Sequence, residues 1–481
     1  MKNLFTLGAA VVLGALPIKS SAQAQNWTTV LDYQLRGRGG AIVADASGNV
    51  FADVGVVNNG QSESLVLATT TSDETRWYRS DEGANLAQGG LAFDSHGNLW
   101  SAEGLYDPSL PGYDWEVRMS SSPATTNSWH TMDRFQYGPD WSSTADSVAG
   151  DLWGNVYVAG GASVLGDVGD ERSHHWLVRK GTFSSADQTW SWATVDDVGS
   201  STPRGIAFVP PNSNLPNGAV FAVGYTYEAS DEDVPLVRRS LDGGATWDTV
   251  DVFGPVGVFG PGAFDAYAVC SDASGDVYVV GSSQVSASNA HSEWLVRKSS
   301  DAGTTWQTAD TYEFADGGSP SGIVMASAGN PVVVGDDHGS DGHWHWVVRR
   351  PANGAWTTID YYPALGTGSD AVPWGVAADA AGNLLVTGRA TDASGSHWLV
   401  RRLPPSIARA PSIAYNWNGS DHSLSLSIPT TAGASYALES TPSLSPAQWT
   451  PLSTLAGDGT AKAFPALSLT NQQGFYRVRI Q

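Results

Sequence analysis

The chain has 481 residues, and its 48 acidic and 25 basic residues give it a formal net charge of −23 at pH 7. Such a field repels phosphate backbones and argues against a nucleic-acid partner. The single cysteine, Cys270, excludes an intrachain disulfide, so stability must come from the core or from bound ions. The 54 glycines and 20 tryptophans favour many short strands joined by tight turns.

Residues 1–24 have the pattern of a secretory signal peptide. A basic start precedes an apolar run from Leu4 to Leu16, and small residues ending at Ala24 provide a cleavage site. The apolar run is shorter than the ~20 residues that a membrane-spanning helix needs. We therefore expect no membrane span and a mature chain that begins near Gln25. We expect the mature chain to be secreted or bound to the cell surface, in the periplasm or the extracellular space of a bacterium.

Three sequence elements recur through residues 25–403. The first is a hairpin pattern of two apolar runs around a short polar turn, as in "DSVAGDLWGNVYVAGG" (146–161). The second is a strand such as "HWLVRR" (397–402), and the third is a Trp-x-x-x-Asp strand such as "WTTID" (356–360). Four strands in each repeat of about fifty residues predict the blades of a propeller.

The N-terminal stretch completes this repeat pattern. The hairpin element occurs seven times, but the seventh copy runs into "LPPSIARAP" without a Trp-x-x-x-Asp strand after it. The stretch "NWTTVLDYQ" (26–34) resembles "AWTTIDYY" (355–362) and can supply the missing strand. The predicted fold is therefore an all-β, seven-bladed β-propeller closed by its N-terminal strand, which also pairs an exposed sheet edge.

Two turns resemble a known signature. Both "SLDGGATW" (240–247) and "SSDAGTTW" (299–306) read Ser-x-Asp-x-Gly-x-Thr-Trp, which is similar to the Asp-box, or BNR repeat, of sialidase-type propellers. The hairpins "GNVYVAG" and "GDVYVVG" resemble repeats of secreted bacterial β-propeller proteins. The resemblance implies the fold. It also implies that these turns are structural and lie on the face away from a ligand.

The C-terminal part differs in composition. After a linker at 404–410, residues 411–481 alternate Ser, Thr, Ala and Leu with few acids, which predicts the short strands of a small β-sandwich. This part resembles C-terminal modules of secreted bacterial proteins. Its expected roles are association with the cell surface, substrate binding or spacing.

Ligands of propellers sit at the mouth of the central channel, where the innermost strands open. The residues at this position differ from copy to copy: Gly40, Gly89, Asp146, Arg204, Tyr267, Ser321 and Trp374, with Arg38 and Asp265 just ahead of two of them. Such variety on a regular scaffold indicates a binding site. The candidate catalytic residues are Asp146, Asp265 and Tyr267. The candidate ligand-binding residues of this first ring are Arg38, Arg204, Ser321 and Trp374.

A second ring of candidate ligand-binding residues precedes the repeated tryptophan: His175, Glu293, His345 and His397. Histidines at one repeat position can bind a metal ion. However, strand three lies away from the axis, and repetition alone copies a histidine, so no metal site is predicted. Ca²⁺ binding stays an alternative because of the acidic loops at 166–171, 228–233 and 336–342, although none of them has EF-hand spacing. No cofactor is firmly assigned.

Two functions fit these residues. The first is a non-catalytic secreted propeller that binds a glycan or an extracellular protein at the channel mouth. The alternative is a sialidase-like glycoside hydrolase, or another carbohydrate-active enzyme such as a polysaccharide lyase, that uses Arg, Asp and Tyr at the mouth. The resemblance to sialidases implies three arginines and an Arg-Ile-Pro motif. That motif is missing here, and the third arginine is unaccounted for, so the sequence leaves catalysis open.

Overall fold

The computed structural model divides the chain into two compact units. One unit spans Ala24–Pro405, and the other contains Ser406–Gln481. The regular secondary structure in the described residues is β-strand. The structure describes residues 27–34, 37–58, 61–69, 77–84, 86–106, 112–121, 123, 128–165, 173–213, 215–227, 233–253, 265–286, 289–313, 317–326, 329–352, 354–362, 369–404, 414–418, 423–430, 435–442, 449–458, 460–468 and 475–480.

The first unit contains twenty-eight described strands. In chain order they are β1 (Thr28–Gln34), β2 (Gly37–Ala44), β3 (Val50–Asn58), β4 (Gln61–Thr69), β5 (Tyr78–Ala84), β6 (Leu86–Phe93), β7 (Leu99–Tyr106), β8 (Tyr113–Ser120), β9 (Trp129–Phe135), β10 (Trp141–Gly150), β11 (Val156–Val164), β12 (His175–Ser184), β13 (Thr189–Gly199) and β14 (Ser201–Val209). They continue as β15 (Ala219–Tyr227), β16 (Asp233–Ser240), β17 (Asp248–Val252), β18 (Ala266–Ser271), β19 (Val277–Ser286), β20 (Asn289–Ser299), β21 (Gln307–Glu313), β22 (Pro320–Met325), β23 (Pro331–His338), β24 (Trp344–Ala352), β25 (Ala355–Tyr362), β26 (Ala371–Ala378), β27 (Leu384–Asp392) and β28 (Gly395–Leu403).

These strands form seven separate four-stranded antiparallel sheets. Six sheets follow chain order, from β2-β3-β4-β5 to β22-β23-β24-β25. The remaining sheet has the order β26-β27-β28-β1, so the first strand of the chain pairs with the twenty-eighth. In that pairing Thr28 lies opposite Arg402, and Gln34 lies opposite His397.

Neighbouring sheets contact each other through their first strands. β2 contacts β6, β6 contacts β10, and the contacts continue through β14, β18 and β22 to β26, which contacts β2 again. The contacts between the first strands are therefore cyclic. This arrangement confirms an all-β, propeller-type fold.

Asp-containing turns join the first and second strands of most sheets. In five of these turns an aspartate accepts a hydrogen bond of 2.8–2.9 Å from the backbone N–H four residues later: Asp45, Asp94, Asp151, Asp272 and Asp379. The third residue after each of these aspartates is a glycine with φ between +82° and +89°, a conformation that other residues rarely adopt. The repeated Asp-x-x-Gly pattern thus closes each of these five hairpins.

The two Asp-box-like turns join third to fourth strands. Asp242 accepts bonds from the N–H and the hydroxyl of Thr246, at 2.9 and 2.7 Å. Asp301 accepts the equivalent bonds from Thr305, at 2.8 and 2.6 Å. Both turns are therefore held by their own side chains, as expected for turns with a structural role.

Tryptophans on third strands pack against glycines of the following sheet. A Cβ atom added to Gly160 would lie 2.6 Å from Trp115, and one added to Gly388 would lie 2.6 Å from Trp346. The same contact joins Gly224 to Trp176 and Gly335 to Trp294. A larger residue at any of these glycines would push the sheets apart, because the tryptophan ring already fills the space.

Arginines on third strands also pair with aspartates of the preceding sheet. Arg238 Nε and Nη2 donate to the two carboxylate oxygens of Asp196 at 2.6 and 2.7 Å. Arg238 Nη1 donates to Thr249 of its own sheet at 3.1 Å. The same pairing joins Arg179 to Asp133, Arg297 to Asp251, Arg349 to Asp310 and Arg401 to Asp360. Two-pronged ion pairs of this kind fix both the distance and the orientation of neighbouring sheets.

One interface replaces this ion pair with two leucines. Leu67 on β4 occupies the arginine position, and Leu31 on β1, four residues after Trp27, occupies the aspartate position. Both leucines are buried in one hydrophobic cluster. Asp32, the next residue, accepts a 2.7 Å hydrogen bond from His397. We call Leu31 and Leu67 the closing interface.

The second unit contains seven short strands in two sheets around one core. The strands are β29 (Ala414–Asn418), β30 (Ser423–Pro429), β31 (Ser435–Thr441), β32 (Thr450–Ala456), β33 (Ala461–Ala463), β34 (Leu467–Ser468) and β35 (Phe475–Ile480). One sheet has the order β29-β30-β33 with β34 also on β30, and the other has the order β32-β31-β35. Leu426 of the first sheet and Leu438 of the second belong to the same buried cluster.

Some sequence predictions lie outside the described residues. They include the signal peptide at 1–24 and nearly all of the linker at 404–410. Within the described residues no helix is long and apolar enough to cross a bilayer.

The closing interface generates a prediction about stability. Leu31→Asp or Leu67→Arg alone should lower the free energy of unfolding by roughly 2–5 kcal/mol, because each buries an unpaired charge. The double variant should recover at least about 1 kcal/mol of that loss, because it recreates the ion pair of the other interfaces. Urea denaturation of all four proteins gives the coupling energy.

A reverse cycle at Arg238 and Asp196 is the matched control. Arg238→Leu or Asp196→Leu alone should destabilise the fold, whereas the double variant should approach wild-type stability, since apolar pairs can replace buried ion pairs. If the losses in free energy of unfolding from Leu31→Asp and Leu67→Arg simply add in the double variant, these two positions do not face each other.

Candidate functional site

Each first strand carries a β-bulge at the same place. In five sheets the residue skipped by the strand pairing is Asp146, Arg204, Tyr267, Ser321 or Trp374. In the first two sheets two residues face one across the bulge, and they include Gly40 and Gly89. A bulge breaks the alternation of the strand and turns the extra side chain in a new direction. The first-ring residues therefore lie inside the strands, at bulges, and not at the strand openings that the sequence indicated.

A local sequence pattern accompanies three of these bulges. Arg204, Ser321 and Trp374 each stand between a proline and a glycine, as in Pro203-Arg204-Gly205. Proline lacks the N–H that regular pairing needs, and it is tolerated within sheets at edge strands and bulges. The following glycine lets neighbouring first strands approach: a Cβ atom on Gly375 would lie 3.1 Å from the carbonyl oxygen of Gly40.

The seven bulges together line one central cavity of about 420 Å³. Its wall contains all seven first-ring residues, with their immediate neighbours on each first strand. The wall is uneven. The first two sheets contribute glycines, whereas the third to seventh contribute an acid, a base, a phenol, a hydroxyl and an indole in consecutive order. The structure thus brings Asp146, Arg204, Tyr267, Ser321 and Trp374 together on one arc.

Arg204 is held in place by a neighbour from the next sheet. Its Nε and Nη2 atoms each lie 3.1 Å from Oδ2 of Asp265. The Asp265 side chain is 4% exposed, whereas that of Arg204 is 43% exposed. The guanidinium also lies over the ring of Tyr225, with its carbon 5.3 Å from the ring centre. Although burial lowers the pKa of Arg204, Asp265 together with Tyr225, Asp146 and Tyr267 more than offsets this, so the pKa is raised.

Burial dominates the titration of the two remaining ionisable wall residues. It raises the pKa of Asp146 to about 6, against smaller opposing effects of Arg204 and a hydrogen bond with Thr144. It also raises the pKa of Tyr267 to about 12, with a further rise from Asp265. Near neutral pH, Tyr267 is therefore a protonated phenol, and Asp146 is an ionised but poorly solvated carboxylate.

The glycine side of the cavity has a carboxylate behind it. The backbone N–H of Gly89 donates to Oδ2 of Asp53 at 3.4 Å, and a Cβ atom on Gly40 would lie 3.0 Å from the same oxygen. A Cβ atom on Gly89 would meet the carbonyl oxygen of Ala102 at 1.5 Å. Glycine is required at Gly89, and this side of the cavity presents backbone rather than side chains.

Ser321 and Trp374 complete the arc and are anchored to the seventh sheet. The hydroxyl of Ser321 donates to the carbonyl oxygen of Pro373 at 2.9 Å. The indole of Trp374 is half-buried and packs against a hydrophobic cluster whose members include Ile42. Both side chains therefore have defined positions.

The second ring does not join this cavity, since none of its four residues lines the wall. His175 donates to Asp197 at 2.6 Å, and His397 donates to Asp32 at 2.7 Å. His345 bonds the hydroxyl of Tyr361 and also Asp341, the latter at 3.1 Å. Each histidine thus belongs to its own local network. Glu293 lies half-buried on β20. The proposed ligand contacts of these four residues stay predictions.

The calcium prediction concerns three acidic loops. Those at 166–171 and 228–233 lie almost wholly outside the described residues. In the loop at 336–342, Asp336 accepts the N–H of Ser319 at 3.0 Å, and Asp341 pairs with His345. The described part of the chain contains no group of three His, Cys, Asp or Glu side chains arranged to hold a metal ion. Arg38 lies on β2, but its side chain is outside the described residues.

Sequence reasoning missed two features of the site. It did not identify Tyr225 beneath Arg204, since a residue on the neighbouring strand, paired with Thr202, has no signal of its own. It also missed the bulges, although Pro-x-Gly at 203–205, 320–322 and 373–375 is a usable signal for them.

The titration of Asp146 predicts a gain in stability when the carboxylate is removed. Its folded pKa of about 6 exceeds the ordinary value of 3.8, so the folded state holds more protons than the unfolded state between these values. Stability therefore falls as pH rises through this window and stays reduced above it. Asp146→Asn should raise the free energy of unfolding at pH 7 by on the order of 1–3 kcal/mol and change it little below pH 4.

Denaturation at pH 7 and at pH 3.5 measures this effect. Asp341→Asn, which removes a carboxylate outside the cavity, should give no such gain. Equal effects of Asp146→Asn at both pH values would contradict the assigned burial of this carboxylate.

Comparisons with known proteins add the fold context. No protein-family model matches the sequence, and no curated protein matches it. Among solved structures, the chain is similar to a protein of unknown function from Dyadobacter fermentans (TM-score 0.45, 12% identity, covering 78% of this chain and 99% of that one). It is also similar to a Trypanosoma rangeli sialidase in complex with the inhibitor DANA (TM-score 0.43, 12% identity, covering 95% of this chain and 88% of that one). A third similar structure is that of the polysaccharide lyase Uly1 (TM-score 0.46, 10% identity, covering 77% of this chain and 91% of that one). These scores are too low to say what this chain binds or catalyses.

Proposed function

We propose that this protein is a glycan-binding propeller whose ligand occupies the central cavity. The observation that carries the proposal is the convergence of the five first-ring side chains on one arc of a single cavity. Because these residues sit at bulges, the sheets direct them into the cavity without using them for strand pairing.

The chemistry of the arc suits a sugar. A pyranose ring presents an apolar C–H face, which packs on an indole such as Trp374. Its hydroxyl groups both donate and accept hydrogen bonds, and Arg204 and Tyr267 supply donors, while Asp146 and the hydroxyl oxygen of Ser321 supply acceptors. A concave site with a few placed polar groups is typical of small-ligand recognition.

Binding is favoured over hydrolysis for two reasons. The raised pKa of Tyr267 keeps the phenol protonated, so it lacks the charge of a nucleophile. Among the cavity-lining side chains that the structure describes, Arg204 is the one base, and Asp265 already holds it. A cluster of free arginines, which a sialidase-like reaction needs, is not assembled from these residues.

The surrounding architecture is part of the same proposal. We take the seven sheets as the blades of one closed propeller, with β1 supplying the outermost strand of the last blade, and the two turns at 240–247 and 299–306 as Asp-boxes. We also propose that residues 1–24 direct export. The C-terminal strands would then form a β-sandwich that associates with the cell surface. The supports are the pairing of β1 with β28, the cyclic contacts of the first strands and the shared core of the C-terminal sheets.

Binding to immobilised glycans, followed by calorimetry on the hits, tests the proposal. Trp374→Ala and Arg204→Ala should each weaken binding at least about tenfold, the scale of a central contact residue. Trp344→Ala is the matched control, because that tryptophan is 37% exposed and does not line the cavity. Loss of binding in Trp344→Ala alone would place the site elsewhere. Release of reducing sugar that disappears in Asp146→Asn would favour the enzymatic alternative.

A further inference from the structure

The charges of the central cavity do not cancel. Its wall carries one acid, Asp146, and one base, Arg204, among the described residues. The base is already matched by Asp265, since two of its nitrogen atoms lie 3.1 Å from one carboxylate oxygen. The carboxylate of Asp146 has no ion-pair partner within 4 Å in the described structure. At neutral pH the wall therefore carries one uncompensated negative charge.

The charge of Asp146 is only partly compensated, by a hydrogen bond with Thr144 and by Arg204, which Asp265 already holds. The neighbouring strands β6 and β11 have glycines there, which add no side chain over the carboxylate: Cβ atoms on Gly90 and Gly160 would lie within 3.0 Å of the backbone of Asp146 and Ala145. From β14 the facing charged group is Arg204, and beyond it stand Asp265 and the protonated Tyr267. A charged ligand group can therefore approach Asp146 over the glycine side.

Carboxylates behind the wall reinforce the negative potential. Asp53, which is 1% exposed, accepts a hydrogen bond from the N–H of Gly89. Asp336 accepts one from the N–H of Ser319, next to the first strand of the sixth sheet. The chain as a whole carries a net charge of −23. Low-dielectric walls and a like-signed background concentrate this field in the cavity and attract cations.

The same cavity contains two aromatic rings. Trp374 and Tyr267 both line it, and a cation over an indole or phenol face is attracted by the ring quadrupole. A carboxylate combined with aromatic faces is the environment that an organic ammonium group prefers. A hard divalent cation such as Ca²⁺ or Mg²⁺ prefers six or more oxygen ligands, and one carboxylate supplies at most two.

We infer that the sugar unit in the central cavity carries a protonated amine, with Asp146 as its counter-charge and the Trp374 and Tyr267 rings as its aromatic contacts. The inference rests on the proposed glycan-binding function and names its ligand class: an amino sugar that is not acetylated. An acidic sugar is disfavoured, because its carboxylate would meet Asp146 and would have to displace Asp265 from Arg204.

Three probes with one backbone test this inference: β-1,4-linked oligomers of glucosamine, N-acetylglucosamine and glucose. They differ only at carbon 2, which carries an ammonium, an amide or a hydroxyl group. Calorimetry on the full chain at pH 6.8, where the amine is protonated to a large extent and Asp146 is mostly ionised, should show the glucosamine oligomer binding at least about tenfold more tightly than the other two, the scale of one charge-assisted hydrogen bond. At pH 5 the advantage should shrink, since Asp146 takes up a proton.

The variant Asp146→Asn should abolish the advantage of the glucosamine oligomer over the glucose oligomer, because both oligomers then meet the same uncharged amide. The control Asp341→Asn changes the net charge equally, outside the cavity, and should keep the advantage. Thermal unfolding of both variants establishes that they are folded, and Asp146→Ser provides a second test of the same position.

The possible outcomes separate the two proposals. Equal binding of the three oligomers, lost in Trp374→Ala, overturns the amine and leaves the glycan function standing. Binding of only neutral or acidic glycans in the wider panel does the same. A lysine tripeptide that binds as tightly as the glucosamine oligomer overturns the sugar and keeps the cation site. Failure of every glycan to bind overturns the proposed function itself.

Discussion

The packing of tryptophan on glycine between sheets is the constraint on which the rest of the first unit depends. The described sheets are separate from one another, so side chains must hold neighbouring sheets together. Trp115 on Gly160 and Trp346 on Gly388 leave no room for a Cβ atom, and this close fit sets the spacing of the sheets. The Arg–Asp pairs then fix their orientation farther from the axis. The width of the central cavity follows from these contacts.

Two third strands lack the tryptophan, and other residues occupy the space between the sheets. Ser64 stands where other third strands have tryptophan or proline, and the next sheet has Glu103 where the third to seventh sheets have glycine. The fourth sheet has Pro235 at the tryptophan position, and Phe253 instead fills the space next to Gly281. Close-packed interiors require such replacements, because an unfilled or overfilled space costs stability.

The sequence predicts much of the fold and part of the site. Strand order and hairpin positions follow from repeated patterns such as Asp-x-x-Gly, since these turns depend on local side chains. The first-ring residues also follow, because they vary at one repeat position. The leucine contact between β1 and β4 also follows in part, because Leu31 stands four residues after Trp27, where other copies have aspartate. The bulges at Asp146 and Tyr267 do not follow, because a bulge depends on the partner strand and no Pro-x-Gly pattern marks these two positions.

The bulges separate recognition from folding along each first strand. The flanking residues pair with the second strand and determine whether the sheet forms, whereas the skipped residue has no cross-strand partner. Selection can therefore exchange the acid, base or aromatic group on one first strand with little effect on the strand pairing of the other sheets. A scaffold of this kind can acquire a new ligand through single substitutions, and relatives with nearly the same backbone can differ entirely in what they bind.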